Sequence, residues 1–108
     1  MLSNPEMVDD LALYTQAQNA PRARVKSHHF TRNLTLPDTL VGVKAPVCAF
    51  WGSADQYYSH YIDAYSEQIE ARGLQIKTEV IKGAGHWLIY EAADEMNEKM
   101  NRFMELYD

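Results

Sequence analysis

Two turns late in this 108-residue chain, Gly52-Ser53-Ala54-Asp55 and Gly83-Ala84-Gly85-His86, each place one titratable side chain directly after a strand-like run. An imidazole does not choose its tautomer unaided. A carboxylate on Nδ1–H fixes the tautomer and stabilises the imidazolium that forms during reaction, which leaves Nε2 to take a proton from a nucleophile or from water. Taken singly, Asp55 reads as a turn former or helix cap, and a lone histidine reads as a packing or surface residue. The pair carries more information. Both residues follow strands of one βαβ unit with the same polarity, so both emerge at the carboxyl ends of adjacent parallel strands, where open α/β sheets place their ligands. The glycines on either side of Ala84 permit the sharp, close-packed turn that aims an imidazole over the sheet.

An acid followed by a histidine is the last two-thirds of a Ser…Asp…His order. No Gly-x-Ser-x-Gly occurs in the chain. Ser53 has Gly52 directly before it and Asp55 two places after it, so it forms no nucleophile elbow. Ser3, Ser27, Ser59 and Ser66 lack supporting glycines, and Cys48 sits inside an apolar run. The chain therefore reads as part of a catalytic unit, with a base and an orienter but nothing for them to activate, and no esterase activity of its own is expected. His28, His29 and His60 show no zinc-ligand spacing and no His-Glu-x-x-His occurs, so no metal is expected. The acid–base chemistry calls for no cofactor.

The elements that would position the pair follow from periodicity. Val47-Cys48-Ala49-Phe50-Trp51, closed by Gly52, is apolar on both faces and suits a buried parallel strand. Tyr58, Tyr61, Ile62, Tyr65 and Ile69 form a helical stripe ending near Gly73. Leu74, Ile76, Thr78 and Val80 alternate with polar residues as in a strand with one wetter face. Ala92, Met96, Met100, Phe103 and Met104 predict a C-terminal amphipathic helix. Strand, helix, strand, helix is βαβα, and its crossover implies parallel strands. Upstream, Ser3 or Asn4 followed by Pro5 and Glu6 reads as the N-cap, first-position proline and first-turn acid of a helix running to about Asn19. Pro21 starts a second helix bearing basic residues, and 31–44 is a connection with a turn at Pro37-Asp38. The fold class is α/β, with 1–37 as a helical part plus connection and 38–108 as the βαβα part. Two strands leave a long edge open, which natural sheets avoid.

The segment from Pro46 to Asp55, followed by Val80-Ile81-Lys82-Gly83-Ala84-Gly85-His86-Trp87 and the amphipathic helix beyond Glu91, resembles the C-terminal end of the α/β-hydrolase fold. The similarity is to the branch of epoxide hydrolases, haloalkane dehalogenases and carbon–carbon-bond hydrolases. In that family the penultimate strand carries the acid three residues after a glycine, here Asp55, and the base follows the final strand, here His86. The residues from Met1 to Val8 and the basic helix after them resemble the end of the helical cap. The resemblance implies a partial α/β-hydrolase fold, its last two parallel strands with flanking helices, preceded by cap helices. It also implies hydrolysis of a small organic substrate through an upstream nucleophile. Arg22 and Arg24 would face the pocket and bind a substrate carboxylate, as a cap arginine does in carbon–carbon-bond hydrolases, although a solvated helix face is the blander reading of both. Trp87 would line the pocket or pack beside the histidine turn, and Tyr57 and Tyr58 stand at the mouth of the site or begin a helix.

Bulk properties exclude other classes. With 46% hydrophobic and 23% charged residues the composition is that of a globular domain. The net charge of −5 disfavours nucleic acid and anionic membranes as partners. The basic Arg22, Arg24, Lys26 and Arg32 lie in an acid-free stretch from Leu11 to Pro37, set against eleven acids from Asp55 onward. The single cysteine points to a reducing compartment, and with no signal peptide and no apolar run near ~18 residues the expectation is a cytoplasmic protein. The open strand edge anticipates self-association or a missing N-terminal half. The rival reading is a non-catalytic truncated or split-gene product that binds a partner through that edge.

Overall fold

The computed structural model describes residues 2–25 and 36–108. Lys26, Ser27, His28, His29, Arg32 and the first part of the expected connection, 31–35, lie outside them. Strand β1 (Val47–Gly52) and strand β2 (Ile76–Ile81) pair in parallel, from Val47 opposite Ile76 to Gly52 opposite Ile81. The tie between them is the crossover helix, Ile62–Ala71. It stops at Gly73, whose φ of +64° favours glycine. The Gly73 N–H donates to Glu70 O at 2.9 Å and the Leu74 N–H to Ile69 O at 3.2 Å, the two bonds of a Schellman cap. Tyr58 and Tyr61 precede this helix in turns instead of riding on its stripe.

The N-terminal segment departs from the single expected helix. Asn4 Oδ1 accepts from the Glu6 N–H and caps a 3₁₀ turn at Pro5–Met7, which ends at Val8. Helix α1 (Asp10–Asn19) then starts afresh, with Asp9 Oδ1 accepting from the Ala12 N–H at 2.8 Å. Asp9 disfavours an interior helical position because its short carboxylate competes for backbone N–H groups, and here it becomes an N-cap. Pro21 starts only a 3₁₀ turn, Ala20–Arg22, in place of a basic helix. Pro37-Asp38 lies in the first turn of a short helix, α2 (Leu36–Leu40), where the missing proline N–H costs nothing. With the crossover helix as α3, two further helices, α4 (Leu88–Glu91) and α5 (Ala93–Glu105), follow β2.

The chain is thus a mixed α/β structure in which five α-helices accompany a two-stranded parallel sheet among the described residues. Its core is small. Ile81, Ala84 and Met96 are buried together, with Phe50, Leu88, Ala92 and Met100 packed against them. The expectation that β1 is covered on both faces fails among the described residues, since Val47 to Trp51 are each only half-buried. The alternation in β2 is also imperfect. Val80 is 45% exposed, while Glu79 is half-buried between Lys77 (3.2 Å) and Lys99 of α5 (3.0 Å). On α1 only Ala12 is buried, and Leu11, Leu13 and Tyr14 face outward. The radius of gyration is 15.6 Å, against about 13 Å for a well-packed domain of this length. Among the described residues no helix is long and apolar enough to cross a membrane.

Candidate functional site

The two turns identified in the sequence are stitched together by backbone groups. Ser53 N–H donates to Ile81 O at 3.0 Å and Ala54 N–H to Ala84 O at 2.9 Å, extending the pairing beyond the last strand residues. The Gly83 N–H donates to Ser53 Oγ at 2.8 Å, so the serine next to the acid clamps the histidine turn. Gly52 is where the turns approach most closely, and a Cβ there would collide with the carbonyls of Ala84 and Gly85. Of the two glycines flanking Ala84, only Gly83 takes a positive φ, +78°. Gly85 contributes instead through its N–H, which donates to Glu91 Oε2 at 2.7 Å.

Asp55 leaves β1 into the space this stitching creates and is 3% exposed. Its Oδ1 accepts from the backbone N–H groups of Tyr57 (2.8 Å) and Tyr58 (3.2 Å). Its Oδ2 lies 2.8 Å from Nδ1 of His86. One oxygen of Asp55 thus caps the turn that follows it, and the other meets the His86 ring. Burial alone would raise its pKa, but the hydrogen bond with His86, the Tyr57 N–H, the charge of His86 and the Tyr58 N–H outweigh burial and hold the carboxyl below its usual range. The carboxylate is the stable form.

The His86 ring is held on two sides as well as through Nδ1. Tyr58 stacks on it at 5.6 Å between centroids with a 28° interplanar angle, and Tyr57 meets it edge-on at 5.3 Å and 71°. Trp51, from β1, contacts Tyr58 (6.0 Å) and Tyr65 (5.4 Å) in turn. The two tyrosines thus belong to the site itself. With Nδ1 committed to Asp55, Nε2 is the nitrogen left for proton transfer. The side chain keeps 38% of its surface exposed.

His86 borders a cleft of about 470 Å³ whose other walls are Leu11, Ala12 and Thr15 of α1 and Trp87, Leu88, Ile89 and Tyr90 after the histidine. Trp87 lies in the wall of this cleft and packs edge-on to Tyr90 at 6.4 Å. Arg22 and Arg24 are exposed and are not among the walls. His60 is exposed, and no group of three metal-ligating side chains occurs among the described residues.

Sequence reasoning missed two links that fasten the N-terminal segment to the residues after His86. Tyr90 Oη donates to Asp9 Oδ1 at 2.6 Å. Glu91 accepts from the Ser3 N–H (3.0 Å to Oε1), from the Asn4 N–H (2.9 Å) and from the Ser3 hydroxyl. Burial works against the charged form of Glu91, but these bonds and that from Gly85 hold its pKa below the usual range. The sequence signal was slight: a tyrosine and a glutamate at the end of a short apolar run, with partners more than 80 positions away. No protein-family model, curated protein or solved structure matches this chain.

Proposed function

We propose that this chain supplies the acid–base end of an α/β-hydrolase, acting on a small organic substrate with a nucleophile contributed by polypeptide outside these residues. The observation that carries the reading is the 2.8 Å contact between His86 Nδ1 and the buried Asp55 carboxylate, at the carboxyl ends of two parallel strands. In this reading His86 Nε2 accepts the proton of the attacking nucleophile, and Asp55 stabilises the imidazolium. The same ring then returns that proton to the leaving group and activates water in the second half. The cleft beside His86, closed on one side by α1, is where the substrate would lie, with α1 taken as the end of a helical cap. The half-buried β1, the exposed Val80 of β2 and the outward-facing apolar residues of α1 support the same reading, because they are surfaces that further strands and cap helices would cover.

The test is to extend the chain at its N-terminus with the leading strands and Gly-x-Ser-x-Gly elbow of an α/β-hydrolase and to assay nitrophenyl ester hydrolysis. The unextended chain is expected to give no burst of nitrophenol. The extended protein is expected to turn over and to lose most of its rate in His86→Ala and Asp55→Asn. Removing one triad member costs on the order of 10⁴- to 10⁶-fold. A folded, active extended protein whose rate is indifferent to both changes would overturn the proposal.

A further inference from the structure

The turn that presents His86 has almost no free polar group, and its bonds come from three directions. Gly83 N–H donates to Ser53 Oγ (2.8 Å), Gly83 O accepts from the Ser3 hydroxyl (2.5 Å), and Ala84 O accepts from the Ala54 N–H (2.9 Å). The Gly85 N–H, one residue before the histidine, donates to Glu91 Oε2 (2.7 Å). The acid-bearing turn thus secures one side, the N-terminal segment a second, and the helix after the histidine a third. Glu91 is the residue common to the last two. A single half-buried carboxylate accepts from Gly85 on one oxygen and from Ser3 and Asn4 chiefly on the other. Charged acceptors make the stronger hydrogen bonds, and an ionised carboxylate has enough lone pairs to serve all of these donors at once.

We infer that Glu91 is a positioning residue for His86: its carboxylate, with Ser3, locks the Gly83–Gly85 turn so that the ring meets Asp55 through Nδ1. The assignment rests on the acid–base reading for its purpose, but its geometry is independent of any reaction. Glu91 does not touch the ring; it acts through the Gly85 N–H and the backbone of the turn. A carboxamide fails in this place because its NH₂ group would face backbone donors where the carboxylate presents an acceptor. The arrangement also couples the first residues of the chain to the base. Whatever displaces Ser3 and Asn4 withdraws both of their N–H groups from Glu91, together with the Ser3 hydroxyl, whose single proton lies between Glu91 Oε1 and the Gly83 carbonyl.

The inference is tested on the chain itself, by ¹⁵N–¹H NMR of the His86 ring and by amide exchange at Gly85, in wild type, Ser3→Ala, Glu91→Gln and a surface control, Glu98→Gln. Wild type and control are expected to show the tautomer protonated at Nδ1 when the ring is neutral. Glu91→Gln is expected to speed Gly85 exchange at least about tenfold, the weight of one hydrogen bond to a charged group, and to shift the ring nitrogens toward a mixed tautomer population. Ser3→Ala, which leaves the helix intact and so guards against a variant that fails to fold, should do the same to a smaller degree. Ring signals unchanged in both variants overturn the inference, even if Gly85 exchange speeds up, because Glu91 would then stabilise the turn without positioning the base. Loss of the Nδ1 tautomer in both variants supports it even if the extended protein described above proves inactive, which separates this inference from the functional proposal.

Discussion

Gly52 and Ala84 meet backbone to backbone, and the hydrogen that glycine carries in place of a Cβ is what lets the acid turn and the histidine turn lie against one another. The Ala54–Ala84 hydrogen bond sits at this contact, and the side chains of Asp55 and His86 meet just beyond it. Gly52→Ala is therefore expected to destabilise the fold by about 3 kcal/mol, the upper end for overpacking, since the atoms it strikes are backbone and cannot swing away. Urea unfolding measures this. A loss under about 1 kcal/mol would mean that the two turns separate easily.

The Asp55 carboxyl has a folded-state pKa below its unfolded value of about 3.9. The sign follows from proton binding. The unfolded chain takes up the proton first as pH falls, so Asp55 contributes stability above the unfolded pKa and that contribution is lost as pH drops through the folded value. Glu91 behaves in the same sense. Stability is thus expected to fall below about pH 4. Asp55→Asn should flatten part of that fall and Glu91→Gln another part, as measured by unfolding at a series of pH values. An Asp55→Asn protein with the wild-type slope would show that the carboxylate is not held by His86 and the tyrosine N–H groups.

Met96 is the one buried α5 side chain, resting in the cluster with Ile81 and Ala84. In so small a core its truncation has little to fall back on. Met96→Ala is expected to cost about 2–5 kcal/mol and to leave the isolated chain largely unfolded, whereas Met104→Ala, at a position 61% exposed on the same helix, should be nearly neutral. Circular dichroism of the two variants makes the comparison. Equal losses would place the core elsewhere.

Which parts of this structure are legible in the sequence follows from the range of the interactions involved. The run Val47 to Trp51, the stripe from Ile62 to Ile69 and Gly73 encode β1, α3 and its cap through local pattern, and parallel polarity then brings Asp55 and His86 to one end of the sheet. Alternation in β2 says which way Val80 points but not whether anything covers it. The restart of α1 at Asp9 is a competition between neighbouring caps, Asn4 and Asp9, that hydrophobic periodicity does not weigh. Glu91 lies beyond such reading altogether, because its role depends on Ser3, 88 positions away.

The sheet makes the last prediction. Among the described residues β1 pairs with β2 alone, so the opposite edge of β1 presents its N–H and C=O groups to no other strand. Val47, Cys48, Ala49 and Phe50 beside it are half-buried, where a strand apolar on both faces calls for cover on both. Such an edge is a template for strand addition from a second copy or from a separate N-terminal piece. The isolated chain is therefore expected to self-associate through β1, and to become a single monomeric species when the leading strands are joined to it. Light scattering with hydrogen exchange at low concentration reads this directly. A monodisperse 12.4 kDa species with strongly protected amides from Val47 to Trp51 would show that the chain closes its own sheet, and the proposal that it is one end of a larger hydrolase would lose the support it draws from the open edge.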